Sequence, residues 1–477
     1  MKPFAANVMT AGVGLLGAAG LSLLVTILVA RVLGAEEFGL YGFAFAYVAI
    51  WTVVMDGGAV VLATRDVARG RAADVMPALF TLKPVLIGVA FVGLMGAGWL
   101  AGFSQTMLWL VGVFAIGSAA DAYLMLTLAV FRGREEFGIE TLHLLAQRLV
   151  FALFAFAALA AYTGAIGVAV ARAASLIAAM LSASWVLRHR HAIKWTLSLD
   201  AVRASGFPLL ASVGPLLFAD LMMQLQSRGG PLILQFTRGP VEVGLYTAPA
   251  RLIEGLFLFP AAYGVALLPR LVTAYQHGGE PLRKELRTGL QFAGSLGVAV
   301  AISGLVWADE LTVWLFGQAY ASSVVPFRVL LGALLVMMIN VPLRTALLAV
   351  NAERSYAISL ALAATTNLIF NIGLTPRWGT IGSAWASLGS ETLLCVGLLL
   401  AIRGKAGRII PLWHWTALAF GSMGVFALLW AVKSVSPVAA IALTIVIVIV
   451  GFERMSPIGV RDFVRLRSLP AGPSTVA

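Results

Sequence analysis

Continuous apolar runs, each closed by a short polar break, recur along the whole chain. A run of roughly 20 apolar residues is the length an α-helix needs to cross a bilayer. A membrane β-barrel would alternate apolar and polar positions, so that architecture is excluded. The pattern predicts fourteen helical spans, at about 8–32, 39–63, 77–101, 108–131, 141–163, 165–187, 207–236, 243–271, 289–308, 322–350, 355–375, 380–402, 411–433 and 436–452. Only Tyr162-Thr163-Gly164 separates the fifth span from the sixth, but their joint length demands two passes. Lys2 leads straight into an apolar run without a small-residue cleavage site, so the first span is expected to be a retained helix.

The basic residues orient these spans. With the N-terminus inside, 23 of the 33 Lys and Arg residues fall on inside segments, among them Arg65, Arg69, Arg71 and Lys83. Only Arg31, Arg238, Arg377 and Lys433 fall outside, and six Arg lie within spans. This skew supports the span count and places both termini in the cytoplasm. It also accounts for most of the formal charge of +12, so the basic loops read as topology signals and lipid-headgroup contacts, not as a nucleic-acid surface.

Composition adds the solvent. The 477 residues are 60% hydrophobic and 11% charged, more apolar surface than a soluble core can hide. The predicted fold class is therefore an all-α polytopic membrane protein. The polar stretch after span six divides two six-span lobes, 1–190 and 205–403. Spans thirteen and fourteen, 411–452, form an appendix, and 453–477 is a basic, then Pro/Gly/Ser-rich cytoplasmic tail. Prolines inside spans, such as Pro84, Pro208, Pro260 and Pro342, either are tolerated as such or bend helices that line a cavity. Cys395 is the single cysteine, so no intramolecular disulfide exists.

One stretch organises the chain. Glu242-Val243-Gly244-Leu245-Tyr246 opens a long apolar run that carries Arg251, Glu254, Pro260 and Pro269. Glu37-Phe38-Gly39-Leu40-Tyr41 opens another, which carries Asp56. Such echoes are how internal repeats of transporters show in sequence, with chance as the competing account of so short a match.

Eleven charges sit inside spans: Asp56, Asp121, Arg148, Arg172, Asp220, Arg228, Arg251, Glu254, Arg328, Arg344 and Glu391. Each costs roughly 2.5–3.5 kcal/mol at the bilayer centre, so they are expected to face protein or water and to pair. Arg251 and Glu254 share a helix face. Either they neutralise each other, or Glu254 holds Arg251 for an anionic ligand. Arg148 and Arg344 lie near cytoplasmic ends and are expected to snorkel. Asp56, Asp121, Asp220 and Glu391 are candidate sites for a coupling proton or Na⁺, the alternative being neutral helix contacts. No Lys is expected at depth. Six Arg suit a phosphorylated or acidic substrate, because the guanidinium binds phosphate bidentately and stays charged. Tyr41, Tyr47, Trp51, Tyr123, Tyr246 and Tyr263 could stack on sugars, or serve as interface and core aromatics.

Nothing catalytic stands out. A phosphate-binding Gly-Lys-Ser/Thr loop and a Gly-x-Ser-x-Gly nucleophile turn are absent, and His143, His189, His191, His277 and His414 lack zinc spacing. No cofactor, metal or catalytic residue is expected.

Several stretches together carry a family likeness. They are Arg31-Val32-Leu33-Gly34 through Tyr41; Asp56-Gly57-Gly58 with Arg65-Asp66; Val243 through Tyr246 with Ala250-Arg251 and Leu268-Pro269; Phe316-Gly317 with Tyr320; and Asn367, Asn371, Pro376 and Gly379 through Ala384. The ordered set resembles the bacterial polysaccharide flippases, the Wzx-type O-antigen and exopolysaccharide translocases of the multidrug/oligosaccharidyl-lipid/polysaccharide exporter superfamily. The resemblance implies two six-helix lobes around a central cavity that opens alternately to each side of the bacterial inner membrane. It implies transfer of an undecaprenyl-pyrophosphate-linked oligosaccharide from the cytoplasmic to the periplasmic leaflet, without enzymatic activity. Arg251 and Arg31 are the positions it nominates for the pyrophosphate; Arg228, Arg172 and Glu254 are further substrate-binding candidates from the intramembrane charges themselves. Polysaccharide polymerases, chain-length regulators and glycosyltransferases are the partner proteins it suggests. Two rival functions remain. An ion-coupled drug antiporter would need cavity acids to outweigh cavity Arg. A glycan polymerase or ligase usually needs a sizeable outer loop, and the outer loops here are turns.

Overall fold

The computed structural model describes residues 2–191, 214–407, 412–444 and 446. The polar connection after span six, Pro208 and the tail lie outside the described residues. The described chain is helical throughout, with no strand. In order the helices are α1 (Lys2–Asp56), α2 (Ala59–Ala68), α3 (Ala72–Leu100), α4 (Gln105–Gly133), α5 (Phe137–Ala160), α6 (Gly164–His191), α7 (Gly214–Arg238), α8 (Pro240–Leu256), α9 (Leu258–Gln276), α10 (Gly279–Val306), α11 (Ala308–Phe316), α12 (Val324–Ala349), α13 (Glu353–Ala406) and α14 (Leu412–Val435). Residues 437–444 begin a further helix.

Nine of the described helical segments are long and apolar enough to span a membrane. The fourteen expected spans map onto the helices because two of those segments each hold two passes. α1 breaks at Gly34, and α13 breaks at Gly379. Charge keeps α7 below the apolar threshold, and α14 is only partly described. The tight fifth and sixth spans are separate helices, α5 and α6, joined by the turn at Tyr162. Many outward side chains are large and apolar, among them Leu24, Val92, Trp99 and Trp314, as lipid requires.

The described residues group into two compact units. One comprises Met1–Leu258, Asp309–Leu330 and Leu360–Ser390; the other comprises Phe259–Ala308, Leu331–Ser359 and Glu391 onward. The first has an apolar core in which Leu62, Met76, Phe80, Leu124, Phe131 and Leu187 draw together α2, α3, α4 and α6. In the second, Ile302 and Val306 of α10 pack on Leu429 of α14, and Lys433 donates to the Val306 carbonyl at 2.6 Å.

The repeated Glu-x-Gly-Leu-Tyr motif is the same structural device used twice within the first unit. Each copy follows a glycine with positive φ and extended ψ, Gly34 (φ 73°, ψ 176°) and Gly239 (φ 87°, ψ −178°), a backbone that β-carbon-bearing residues avoid. Each glutamate then reaches the start of a later helix. Glu37 Oε2 accepts the Ala165 N–H at 2.8 Å in the first turn of α6. Glu242 Oε2 accepts the Thr380 N–H at 3.0 Å where α13 resumes after Gly379. A carboxylate there satisfies an orphan donor and meets the positive end of the helix dipole.

The motif glycines bring the two copies into backbone contact. A Cβ on Gly39 would stand 1.8 Å from the Pro240 carbonyl oxygen, and one on Gly244 would stand 1.9 Å from the Ala35 carbonyl oxygen. α1 and α8 therefore cross with nothing but backbone between them, a use of small residues common in membrane helix pairs.

The later family-like stretch staples the broken α13. Asn371 Oδ1 accepts from Thr375 at 3.1 Å and from Ser383 at 2.7 Å, bridging the Gly379 break. Asn367 donates to Ser390 at 3.0 Å. All four flanking groups of this network are buried.

Alanine at either motif glycine must push the helices apart. Gly39→Ala and Gly244→Ala should each lower stability by about 1–3 kcal/mol. Gly88→Ala, where a Cβ meets nothing within 4 Å, should be neutral. Thermal unfolding of the purified variants checks this, and an unchanged Tm at Gly244→Ala would contradict the backbone contact.

Candidate functional site

The crossing of α1 and α8 opens into a cavity of about 220 Å³ within the first unit. Four helices supply its polar lining. Ser22, Thr26, Tyr41 and Phe45 come from the two passes of α1, Arg148 from α5, Arg172 from α6, and Thr247 and Arg251 from α8.

The guanidiniums gather around one ring. The Cζ atoms of Arg251, Arg172 and Arg228 stand 4.5, 5.1 and 5.1 Å from the centroid of Phe45. Glu254 bridges two of them, accepting from Arg251 at 2.6 Å and from Arg228 at 2.8 Å. Both readings of the Arg251–Glu254 pair thus have a physical basis: they do pair, but one carboxylate is shared between two cations. Arg148 and Arg172 make no ion pair among the described residues; Asp121 of α4 interacts electrostatically with both. The four guanidiniums outnumber Glu254 and Asp121 by two positive charges.

The hydroxyls divide by what they can still do. Ser22 donates to the Ala18 carbonyl and Thr26 to the Ser22 carbonyl, both at 2.8 Å, so each offers the cavity only lone pairs. Thr247 is nearly buried, and its Oγ1 has no hydrogen-bond partner among the described residues. The Nε of Arg228 is likewise buried without a partner there. Of the two, Thr247 lines the cavity.

The sequence-nominated residues are therefore dispersed. Arg251, Glu254, Arg228 and Arg172 come together. Arg31 does not line the cavity; it is exposed and donates to the Trp314 carbonyl at 2.8 Å. Asn340 donates to the Glu391 carboxylate at 2.9 Å, and both belong to the second unit. Asp220 lies on α7 within the electrostatic reach of Asp56.

Two expectations are corrected. Arg148, expected to snorkel, lines the cavity, because its face of α5 turns toward α1 and α6. Lys83, counted with a basic inside segment, is wholly buried in α3, and its Nζ lies 3.0 Å from Asp56 Oδ1 and 3.1 Å from the Asp56 carbonyl. A lysine is thus used at depth, and Asp56 is paired from another helix. Phe45 and Thr247 carried no charge to draw notice. The one available signal was the i, i+4 spacing of Tyr41 and Phe45, which puts both on one helix face.

Arg328, another of the intramembrane arginines, pairs with Asp309 at 2.6 Å. At the end of α2, the buried Asp66 is held by Arg65, Arg69 and Arg71. Burial opposes its charge, but the hydrogen bonds and fields of Arg65 and Arg71 prevail and hold its carboxyl below the usual range. Among the described residues no group of three or more His, Cys, Asp or Glu side chains is placed to hold a metal ion.

A bundle of long apolar helices around a cationic internal cavity is the architecture of a polytopic membrane protein. The comparisons with known proteins give the family. A family model described as polysaccharide biosynthesis protein matches residues 4–274, more than half of the chain, and the chain belongs to that family. It is 24% identical over 388 residues to a putative O-antigen transporter of Escherichia coli (strain K12), covering 79% of this chain and 91% of that one. It is 28% identical over 187 residues to the probable flippase AglR of Haloferax volcanii, a match that spans only 38% of either protein. The solved structure of the lipid II flippase MurJ in an inward closed conformation superposes with a TM-score of 0.75 at 13% identity, covering 98% of this chain and 100% of that one, which is a likeness of fold. The expected Wzx-type recognition and the all-α polytopic class both stand.

The Asp56–Lys83 pair is asymmetric: the Lys83 side chain is 0% exposed and that of Asp56 is 32% exposed. Removing the acid strands a buried cation, so Asp56→Ala should cost about 3–5 kcal/mol. Lys83→Met should cost clearly less, and the double variant should recover most of the loss. Unfolding in detergent measures the cycle, and equal single-variant losses would contradict it. At Asp66 the lowered folded-state pKa stabilises the fold above the ordinary carboxylate range, and this is lost as pH falls through the folded value. The destabilisation by Asp66→Asn at neutral pH should therefore shrink on acidification, as Tm against pH would record.

Proposed function

We propose that the protein flips a lipid-linked oligosaccharide across the bacterial inner membrane, with both termini in the cytoplasm. The carrier in this reading is undecaprenyl pyrophosphate, and transfer runs from the cytoplasmic to the periplasmic leaflet. The observation that carries the reading is the gathering of Arg172, Arg228 and Arg251 about Phe45 beside an unpartnered Thr247 hydroxyl. A pyrophosphate diester bears two negative charges, the number by which Arg148, Arg172, Arg228 and Arg251 exceed Glu254 and Asp121. Bidentate Arg contacts suit its oxygens, and Thr247 and the Nε of Arg228 supply further donors. The lipid tail stays in the bilayer while the sugars cross a hydrated path.

Alternating access in this reading is a rocking of 1–190 against 205–403, with 411–452 as an appendix. Asp121 is the acid best placed to couple an ion to the anion, since it interacts with Arg148 and Arg172. Asp56, Asp220 and Glu391 are secondary candidates. A drug antiporter is disfavoured because a cavity with excess arginine repels cations. Polymerases, chain-length regulators and glycosyltransferases are the partners that fit such a step.

Cells lacking the protein should accumulate undecaprenyl-pyrophosphate oligosaccharides in lipid extracts. The wild-type gene should clear them, and Arg251→Ala should cut clearance roughly tenfold or more at unchanged protein level. Normal clearance by a well-expressed Arg251→Ala protein would sink the role of Arg251. Accumulation of toxic organic cations without lipid intermediates would favour the antiporter.

A further inference from the structure

We propose that Phe45 is the positioning residue of the anion site, its ring holding the cavity arginines Arg172 and Arg251 and the adjoining Arg228 in a binding-ready cluster. The inference rests on the anion-site reading above and adds the element that keeps the site assembled when no anion is present.

Three observations lead to it. Arg172, Arg228 and Arg251 come from three helices, α6, α7 and α8, and each guanidinium carbon lies within 5.1 Å of the same ring centroid. The one carboxylate that touches the cluster, Glu254, reaches Arg228 and Arg251 only. Arg172 makes no ion pair among the described residues, so the phenyl ring is its close partner there. An aromatic ring attracts cations through its quadrupole, most strongly when water is excluded, and an aliphatic side chain of similar volume does not.

The ring is itself fixed. Phe114 of α4 meets Phe45 edge-on at 6.0 Å, and the same Phe114 meets Tyr41 edge-on at 5.0 Å. Tyr41 and Phe45 lie one turn apart on α1, whose position is set by the Gly39–Gly244 crossing. A rigid ring on a fixed helix can orient long, rotamer-rich arginine side chains, and ordering them in advance removes a cost that ligand binding would otherwise meet. An incoming anion then replaces like-charge repulsion among guanidiniums already aimed at one point.

The test uses the full-length protein in nanodiscs, titrated with inorganic pyrophosphate by calorimetry. Wild type, Phe45→Leu, Phe45→Tyr and Arg251→Ala are compared, with pentafluorophenylalanine incorporated at position 45 as a variant that keeps the ring's shape but removes its attraction for cations. Phe45→Leu and the fluorinated ring should each weaken binding about tenfold, and Phe45→Tyr should stay within about twofold of wild type. The fluorinated variant keeps the inference testable if Phe45→Leu fails to fold. Wild-type affinity in the fluorinated variant, or tighter binding in Phe45→Leu, would overturn the positioning role while leaving the anion site standing, provided Arg251→Ala still loses binding. A wild-type protein that binds no pyrophosphate would overturn the anion-site reading and this inference with it.

Discussion

Between α1 and α8 there is no room for a side chain. Each of Gly39 and Gly244 faces a carbonyl oxygen of the other helix at a distance no Cβ tolerates. Helices separated by ordinary side chains pack with axes about 8–10 Å apart, and the glycines let these two come closer. The consequence appears within about two turns along each helix. Tyr41 and Phe45 follow Gly39, Thr247 and Arg251 follow Gly244, and the Arg251 guanidinium comes within 4.5 Å of the Phe45 ring. Glu37 and Glu242 tie the same two segments to the starts of α6 and of the second arm of α13. A contact made only of backbone thus fixes where the polar groups of four helices meet.

What meets there is costly to assemble. Two guanidiniums about 10 Å apart repel by about 1.7 kcal/mol at an effective dielectric of about 20, and arginine does not escape by releasing its proton. Glu254 offsets part of this for Arg228 and Arg251, and Asp121 acts on Arg148 and Arg172 from α4. The remainder falls to the phenyl ring and to whatever anion enters. Asp56 and Lys83 show the contrasting case, in which a buried cation has its own carboxylate at 3.0 Å and no charge is left over. A leftover charge at a cavity, contrasted with a cation matched one-to-one by its own carboxylate, is what separates a binding feature from a structural one here.

The elements were far more legible than the pairings. Lipid demands continuous apolar helices, so run length alone located the passes, even across the turn at Tyr162 that separates α5 from α6. The Glu-x-Gly-Leu-Tyr echo was legible too, because the same local device needs the same residues in both places. Pairings between helices left no such trace. In sequence Lys83 groups with the inside basic residues Arg65, Arg69 and Arg71, yet its partner Asp56 lies 27 residues earlier on another helix. Arg148 looked like an end-of-helix residue because its depth was judged from sequence position, while the face it occupies depends on the neighbours of α5. Phe45 gave little signal beyond its i, i+4 spacing from Tyr41, since a phenylalanine in an apolar span is ordinarily core or lipid-facing. Helical spacing reveals partners within one helix, such as Arg251 and Glu254, and is silent about a ring on α1 that serves three others.

The size of the cavity bears on what the site would recognise. About 220 Å³ is below the range of roughly 300–1,000 Å³ that encloses drug-sized ligands. An oligosaccharide does not fit in it, whereas a charged linkage does. In the proposed function, recognition then falls on the pyrophosphate, the part common to every lipid-linked sugar on this carrier. In that reading the lone pairs of Ser22 and Thr26 at the cavity wall are among the groups that could accept from a first sugar hydroxyl. Such a site is selective for charge and attachment chemistry and permissive toward the glycan beyond them. The guanidinium cluster must also let go: binding shared among several modest contacts, with Glu254 ready to retake Arg228 and Arg251, favours release over tight retention. In the proposed function, a bidentate clamp by fully free arginines would hold the anion more strongly and turn over more slowly, so the carboxylate that Arg228 and Arg251 share would serve transport as much as the cations it restrains.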